Sequence, residues 1–137
     1  MRAVLDVNVL ISAAISRSGA PAELIRRWSG GEFELIVSPA LLDELRRALA
    51  YRKLAALISA ADRRELVRLI EDRATASADP DRESSHGSPD PDDDYLLALS
   101  EAAGAALVTG DGDLLALDGR LPIFTPREFL ELLDAAP

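Results

Sequence analysis

Four acidic residues stand out by position in the chain: Asp6, Glu44, Asp93 and Asp111. Asp6 directly follows the apolar run Ala3-Val4-Leu5, and Asp111 follows Ala105-Ala106-Leu107-Val108 by way of Thr109-Gly110. An acid set directly after a buried strand rarely serves packing, because carboxylates are almost never fully buried unless paired. Carboxylates gathered at one place raise one another's pKa unless a cation compensates. A set of hard oxygen ligands without His or Cys suits Mg2+ or Mn2+ rather than zinc. One or two such ions acidify water for in-line attack on a phosphodiester and neutralise charge building on the phosphate. The chemistry these residues could do is therefore metal-assisted hydrolysis, with no covalent nucleophile. Asn8, Thr109 and Asp113 are the polar neighbours that would support such a site.

Each acid also has a plainer reading. Asp93 opens a helix, where an Asp is favoured simply as a cap, and Asp92 and Asp94 beside it read as solvated charges. Glu44 lies on the exposed side of its helix, between Leu42 and Leu45, as a surface residue would. Asp111-Gly112-Asp113 has the composition of an ordinary turn. Asp6 is the hardest of the four to dismiss.

These residues need elements to position them. Ala3–Leu5 reads as a buried strand, and residues 7–14 as a turn entering a helix with Asn8 as its N-cap. Pro21 suits the first turn of a helix running to Trp28, closed by Gly30-Gly31. Trp28 itself reads as a core or interface residue. Phe33–Val37 is a second strand. Ser38 then caps a helix with Pro39 in its first position, and Leu41, Leu42, Leu45, Ala48 and Leu49 follow the helical period. Asp62, with Glu65 three residues on, predicts a capped helix to Arg73. The polar, Pro/Ser/Asp-rich stretch from about 77 to 92 reads as a loop, with a short strand at its start near residue 75. Then come a helix over Tyr95–Ala103, a strand over Ala105–Val108, a helical turn over Leu114–Leu117 and a strand over Pro122–Phe124. Thr125 caps a last helix over Pro126–Leu133. Short apolar strands alternating with helices imply one α/β domain over residues 1–137, a three-layer α/β/α sandwich with a mostly parallel central sheet. Sites in such folds form beyond the carboxyl ends of the strands, where Asp6 and Asp111 both fall.

The chain has 137 residues, 48% of them hydrophobic, with a mean hydropathy of +0.06, as suits a folded domain. It has no cysteine, which excludes disulfides and thiolate chemistry, and its one histidine, His86, cannot build a His-rich metal site. No apolar run is long enough to span a membrane and no signal peptide is visible, so a cytoplasmic protein is expected. The net charge of −9 at face value opposes a nucleic-acid partner. Its distribution softens that objection: residues 1–73 carry 12 basic and 10 acidic residues, a net of +2, and residues 74–137 carry 3 and 14, a net of −11.

Four strings, VLDVNVLISA (4–13), SPALLDEL (38–45), DPDDDYLLALSEAAGAALVTGDGDLL (90–115) and IFTPREFL (123–130), together resemble the PIN-domain ribonucleases. The likeness is greatest to the VapC-like toxins of type II toxin–antitoxin pairs, and it covers essentially the whole chain in order and spacing. By position it implies that Asp6, Glu44, Asp93 and Asp111 are the family's four catalytic, metal-binding acids. Asn8 matches the family's Asp-x-Asn, Thr109 its hydroxyl residue before the fourth acid, and Asp113 the second acid of the TGDxDLL string. Val7 stands where Thr is common, and Gly112 where Lys or Arg is common. The resemblance implies endonucleolytic cleavage of single-stranded RNA with one or two Mg2+ or Mn2+ ions, a cognate antitoxin and a homodimer. Arg46 and Arg47, with Arg17, Arg52 and Lys53, are candidate RNA backbone contacts, though a solvated helix face is their plainer role.

Two other readings compete. Aspartate-based phosphatases and receiver domains also use an Asp after a strand with Mg2+. The phosphatase pattern wants a second Asp where Asn8 stands, and both use a lysine late in the chain, whereas Lys53 is the only lysine. A non-catalytic RNA- or protein-binding module is the second, and the complete acidic set argues against it.

Overall fold

The computed structural model describes residues 1–80, 94–117 and 122–136. Asp93, its neighbour Asp92 and most of the expected polar loop lie outside these residues. The elements follow in the order β1 (Arg2–Leu5), α1 (Val7–Ile15), α2 (Ala20–Ser29), β2 (Glu34–Val37), α3 (Pro39–Leu49), α4 (Arg52–Ala55) and α5 (Ala60–Arg73). The second part comprises β3 (Thr75–Ala76), α6 (Asp94–Ala103), β4 (Ala106–Val108), α7 (Gly112–Leu115), β5 (Ile123–Phe124) and α8 (Pro126–Ala135).

Capping decides where several helices begin, and twice not at the expected residue. Ser38 caps α3 as predicted, its Oγ accepting from the Leu41 amide at 3.3 Å. Thr125 and Glu128 form a reciprocal capping box on α8, with bonds of 3.1 and 2.9 Å. α1, however, is capped by Asp6 and not by Asn8: the Asp6 Oδ1 accepts from the Asn8 amide at 3.2 Å. The strand simply ends one residue before the helix begins, which leaves no room for a later cap. α5 starts at Ala60 under Ser59, whose Oγ accepts from the Asp62 amide at 3.0 Å, so Asp62 lies inside the first turn. Both serine and aspartate suit an N-cap, and the Asp62/Glu65 spacing pointed to the residue three positions too late. The short α4 was not anticipated.

All five strands are parallel, in the order β3-β2-β1-β4-β5. α1 packs against α2, α3 and α5, and α2 against α8, while α6 packs against β1 and β4. Right-handed crossovers put the helices of the β1-to-β2-to-β3 half on one face and the returning α6 on the other. The result is the three-layer α/β/α arrangement, with the sheet covered on both sides as parallel strands require. That cover explains why β1, β2 and β4 read as continuous apolar runs. Ala3, Val4, Leu5, Leu35, Ile36, Leu107 and Val108 are all essentially inaccessible.

One continuous apolar cluster joins these strands to Leu10, Leu24, Trp28, Leu41, Leu45, Ile70, Leu97 and Phe129. Leu41, Leu45 and Leu49 recur at helical spacing, and burying each such side chain stabilises the fold by ~1.5–3 kcal/mol. Phe33 and Phe129 meet edge to face, centroids 5.2 Å apart, which fastens α8 beside the start of β2. No helix among the described residues is long and apolar enough to cross a membrane.

Candidate active site

The chain reverses its direction of travel across the sheet between β1 and β4. From β1 it builds outward through β2 to β3, and from β4 outward in the opposite sense to β5. The connections therefore leave β1 and β4 on opposite faces, opening a crevice beyond their carboxyl ends. Leu5 pairs with Val108, and the Asp6 amide donates to the Val108 carbonyl at 2.9 Å. The ladder thus carries Asp6 and Thr109 side by side into that crevice.

Asp6 is only 6% exposed and Thr109 is fully buried. The Thr109 hydroxyl donates to Asp6 Oδ2 at 2.8 Å and accepts from the Asp111 amide at 3.0 Å. One side chain thereby fixes both the first acid's carboxylate and the backbone that carries the fourth. Asp111 in turn caps α7, its Oδ1 accepting from the Asp113 amide at 2.9 Å. Asp113 contributes through that amide and completes the turn. A cleft of about 370 Å³ opens here, lined by Asp6, Asn8, Val9 and Ser12 on one side and by Pro21, Gly110, Asp111 and Pro126 around it. Asp6, Pro21 and Pro126 stand at the starts of α1, α2 and α8. The positive ends of three helix dipoles therefore surround the acidic pair and offset part of its repulsion.

The donor set fits a hard divalent cation. Each Asp6 oxygen accepts one hydrogen bond within the protein and keeps lone-pair capacity. No Lys, Arg or His lines the cleft among the described residues, so no side-chain cation there compensates Asp6 and Asp111. Among the described residues no three acids lie close enough to hold an ion on their own. Asp6 and Asp111 supply two carboxylates, and Asp93, the third expected acid, lies outside the described residues.

Glu44 is half-buried on α3, where the Tyr95 hydroxyl, in the first turn of α6, donates to its carboxylate. Glu44 is thus turned toward the helix that Asp93 immediately precedes, but it is not among the described residues that line the cleft. Asp79 had no place in the sequence reading. Its Oδ2 accepts from the Ala40 amide at 3.0 Å and so shares with Ser38 the capping of α3, one helical turn before Glu44. An Asp-Pro pair after a strand reads only as a turn, and a contact spanning 39 positions leaves no local signal. Arg46 pairs with Asp43 and with Glu71, and Arg47 Nε reaches the Asp43 carbonyl at 3.4 Å. Arg46 borders a groove between α3 and α5, away from the cleft that holds Asp6.

Comparison with known proteins bears on this arrangement. A chain of the VapBC2 complex from Rickettsia felis, solved bound to a DNA fragment from their promoter, superposes with a TM-score of 0.63 at 13% identity, covering 90% of this chain and 97% of that one. PAE2754 from Pyrobaculum aerophilum superposes with a TM-score of 0.62 at 16% identity, covering 99% and 91%. A domain of a functionally unknown protein from Methanocaldococcus jannaschii gives 0.57 at 17% identity, covering 90% and 89%. At these identities the likeness is one of fold. No curated protein sequence matches the chain. The PIN domain family model matches residues 2–113, a span that holds Asp6, Glu44 and Asp111 with the strands and helices that carry them, and the chain belongs to the PIN domain family.

Proposed function

We propose that this PIN domain is a divalent-metal-dependent endoribonuclease acting on single-stranded RNA, and that it is the toxin of a toxin–antitoxin pair. The observation that carries the nuclease reading is the chain of hydrogen bonds from Asp111 through Thr109 to Asp6, at the sheet's switch point and open to a cleft with no side-chain cation among its described lining residues. Asp6 and Asp111, with Asp93 and with Glu44 from α3, are the residues that would hold Mg2+ or Mn2+. Such an ion, when bound, supplies charge neutralisation at the phosphate and acidifies water, so that hydrolysis needs no protein nucleophile.

The chain's own residues have separate tasks in this reading. Thr109 holds the Asp6 carboxylate in one orientation and prevents it from swinging to satisfy itself elsewhere. The three helix starts around the cleft draw a phosphodiester toward the acids despite the chain's net charge. A crevice of about 370 Å³ is of a size to take one nucleotide-sized group. The toxin assignment is supported by the likeness to a chain of a VapBC2 complex, and it implies a cognate antitoxin that holds the chain inactive.

The test is cleavage of a labelled single-stranded RNA pool in Mg2+ or Mn2+, with and without EDTA, beside Asp6→Asn. Metal-dependent cleavage lost in the variant is the expected result. Cleavage that survives chelation, or an equally active variant, overturns the mechanism. A wild-type chain that binds RNA and never cuts it favours the binding module.

A further inference from the structure

We infer that Ser12, paired with Asn8, is a substrate-binding residue that holds the phosphodiester backbone in the cleft; the inference rests on the nuclease reading above. α1 places Asn8 and Ser12 four residues apart, on one face and one turn from each other. Both are exposed and both line the cleft. Among the described residues neither side chain makes a hydrogen bond, although each carries a donor within a cleft whose other polar side chains are already engaged. Asp6 is committed to Thr109 and to the α1 cap, and Asp111 to the α7 cap.

The lining divides by hydrogen-bond chemistry. Asp6 and Asp111, when ionised, only accept. Val9, Pro21 and Pro126 offer apolar surface, and proline has no amide hydrogen to give. The donating side chains among the described lining residues are the Asn8 amide and the Ser12 hydroxyl. A phosphodiester brings non-bridging oxygens that carry negative charge and only accept. Its natural partners here are these two neutral donors, because the acids repel it wherever a cation does not intervene. The geometry therefore assigns α1 a backbone-holding role beside the acids that act on the bond.

Two measurements on the full chain test this. One is equilibrium binding of a fluorescein-labelled twelve-nucleotide RNA in Ca2+ buffer, read by anisotropy. The other is steady-state cleavage of the same RNA in Mg2+. Losing a hydrogen bond to a charged group weakens binding by about ten- to a hundredfold. Ser12→Ala is expected to raise Kd and KM by about that factor with kcat nearly unchanged, and Ser12→Thr, which keeps the hydroxyl, to restore both. Wild-type affinity in Ser12→Ala, or equal losses in Ala and Thr, overturns the inference whatever the cleavage assay gives. Hydroxyl-dependent binding without any cleavage supports it and overturns only the nuclease reading.

Discussion

At the scale of single residues, Thr109 is the side chain on which the candidate site turns. It is fully buried, donates to Asp6 and accepts from the Asp111 amide. Thr109→Val keeps the shape and removes both bonds, leaving a nearly buried carboxylate oxygen without its donor. The expected cost is ~1.5–3 kcal/mol of stability, the range for a hydrogen bond to a charged group, read as a lower urea midpoint at unchanged slope. Thr109→Ser, which retains the hydroxyl, is expected to restore most of it. A Thr109→Val chain as stable as wild type would show that Asp6 finds another donor. The third acid is settled by comparing Asp92→Asn, Asp93→Asn and Asp94→Asn in the Mg2+ cleavage assay. Loss of about a hundredfold or more in Asp93→Asn alone is expected, and a loss confined to either neighbour would move the assignment by one position.

At the scale of elements, the question is what holds α3, which brings Glu44 toward α6. Ser38 and Asp79 each satisfy one amide of its first turn. Ser38→Ala is expected to cost ~1 kcal/mol, as loss of an N-cap does. Asp79→Ala is expected to cost a similar amount, and Asp79→Asn less, since its amide oxygen can still accept. The two changes should fall short of additivity, because a frayed first turn can be frayed only once. Thermal unfolding of the two single variants and the double variant measures this, and strict additivity would separate the two caps. The same helix shows how legible the molecule was. Ser38, Pro39 and the Leu41/Leu45/Leu49 period announce α3 locally, and the strand runs that end at Asp6 and Thr109 announce the site's position. Asp79 and Tyr95 were not legible, because each acts on α3 from another part of the chain and no local pattern encodes such a contact. The choice of Asp6 over Asn8 as the cap of α1 was hidden for a different reason. Both residue types cap well, and only the ladder's end at Leu5 decides between them.

At the scale of the whole molecule, net charge and site chemistry must be reconciled. A chain of net charge −9 that bound RNA through a basic track would do so against its own field. The cleft holds no Lys or Arg among its described lining, and its donors are neutral or are helix starts. Binding through such groups releases few condensed counterions. The contrast is quantitative: each phosphate neutralised by a basic side chain on a single strand adds about −0.7 to the slope of log K against log salt. A track of five cations would give about −3.5 by that rule. The site described here predicts a magnitude below about 1, measured for the twelve-nucleotide RNA between low and moderate KCl at fixed divalent concentration. Cations that could supply the alternative track do exist. Arg52, Lys53, Arg64 and Arg68 are exposed around α4 and α5 and make no ion pair among the described residues. A steep slope, reduced by replacing Arg64 and Arg68 with Gln, would therefore place the RNA's flanking strand on α5 and away from the α1 wall. A shallow slope leaves RNA affinity resting on the divalent cation and on the helix starts, and makes the acidity of the second half compatible with a nucleic-acid substrate.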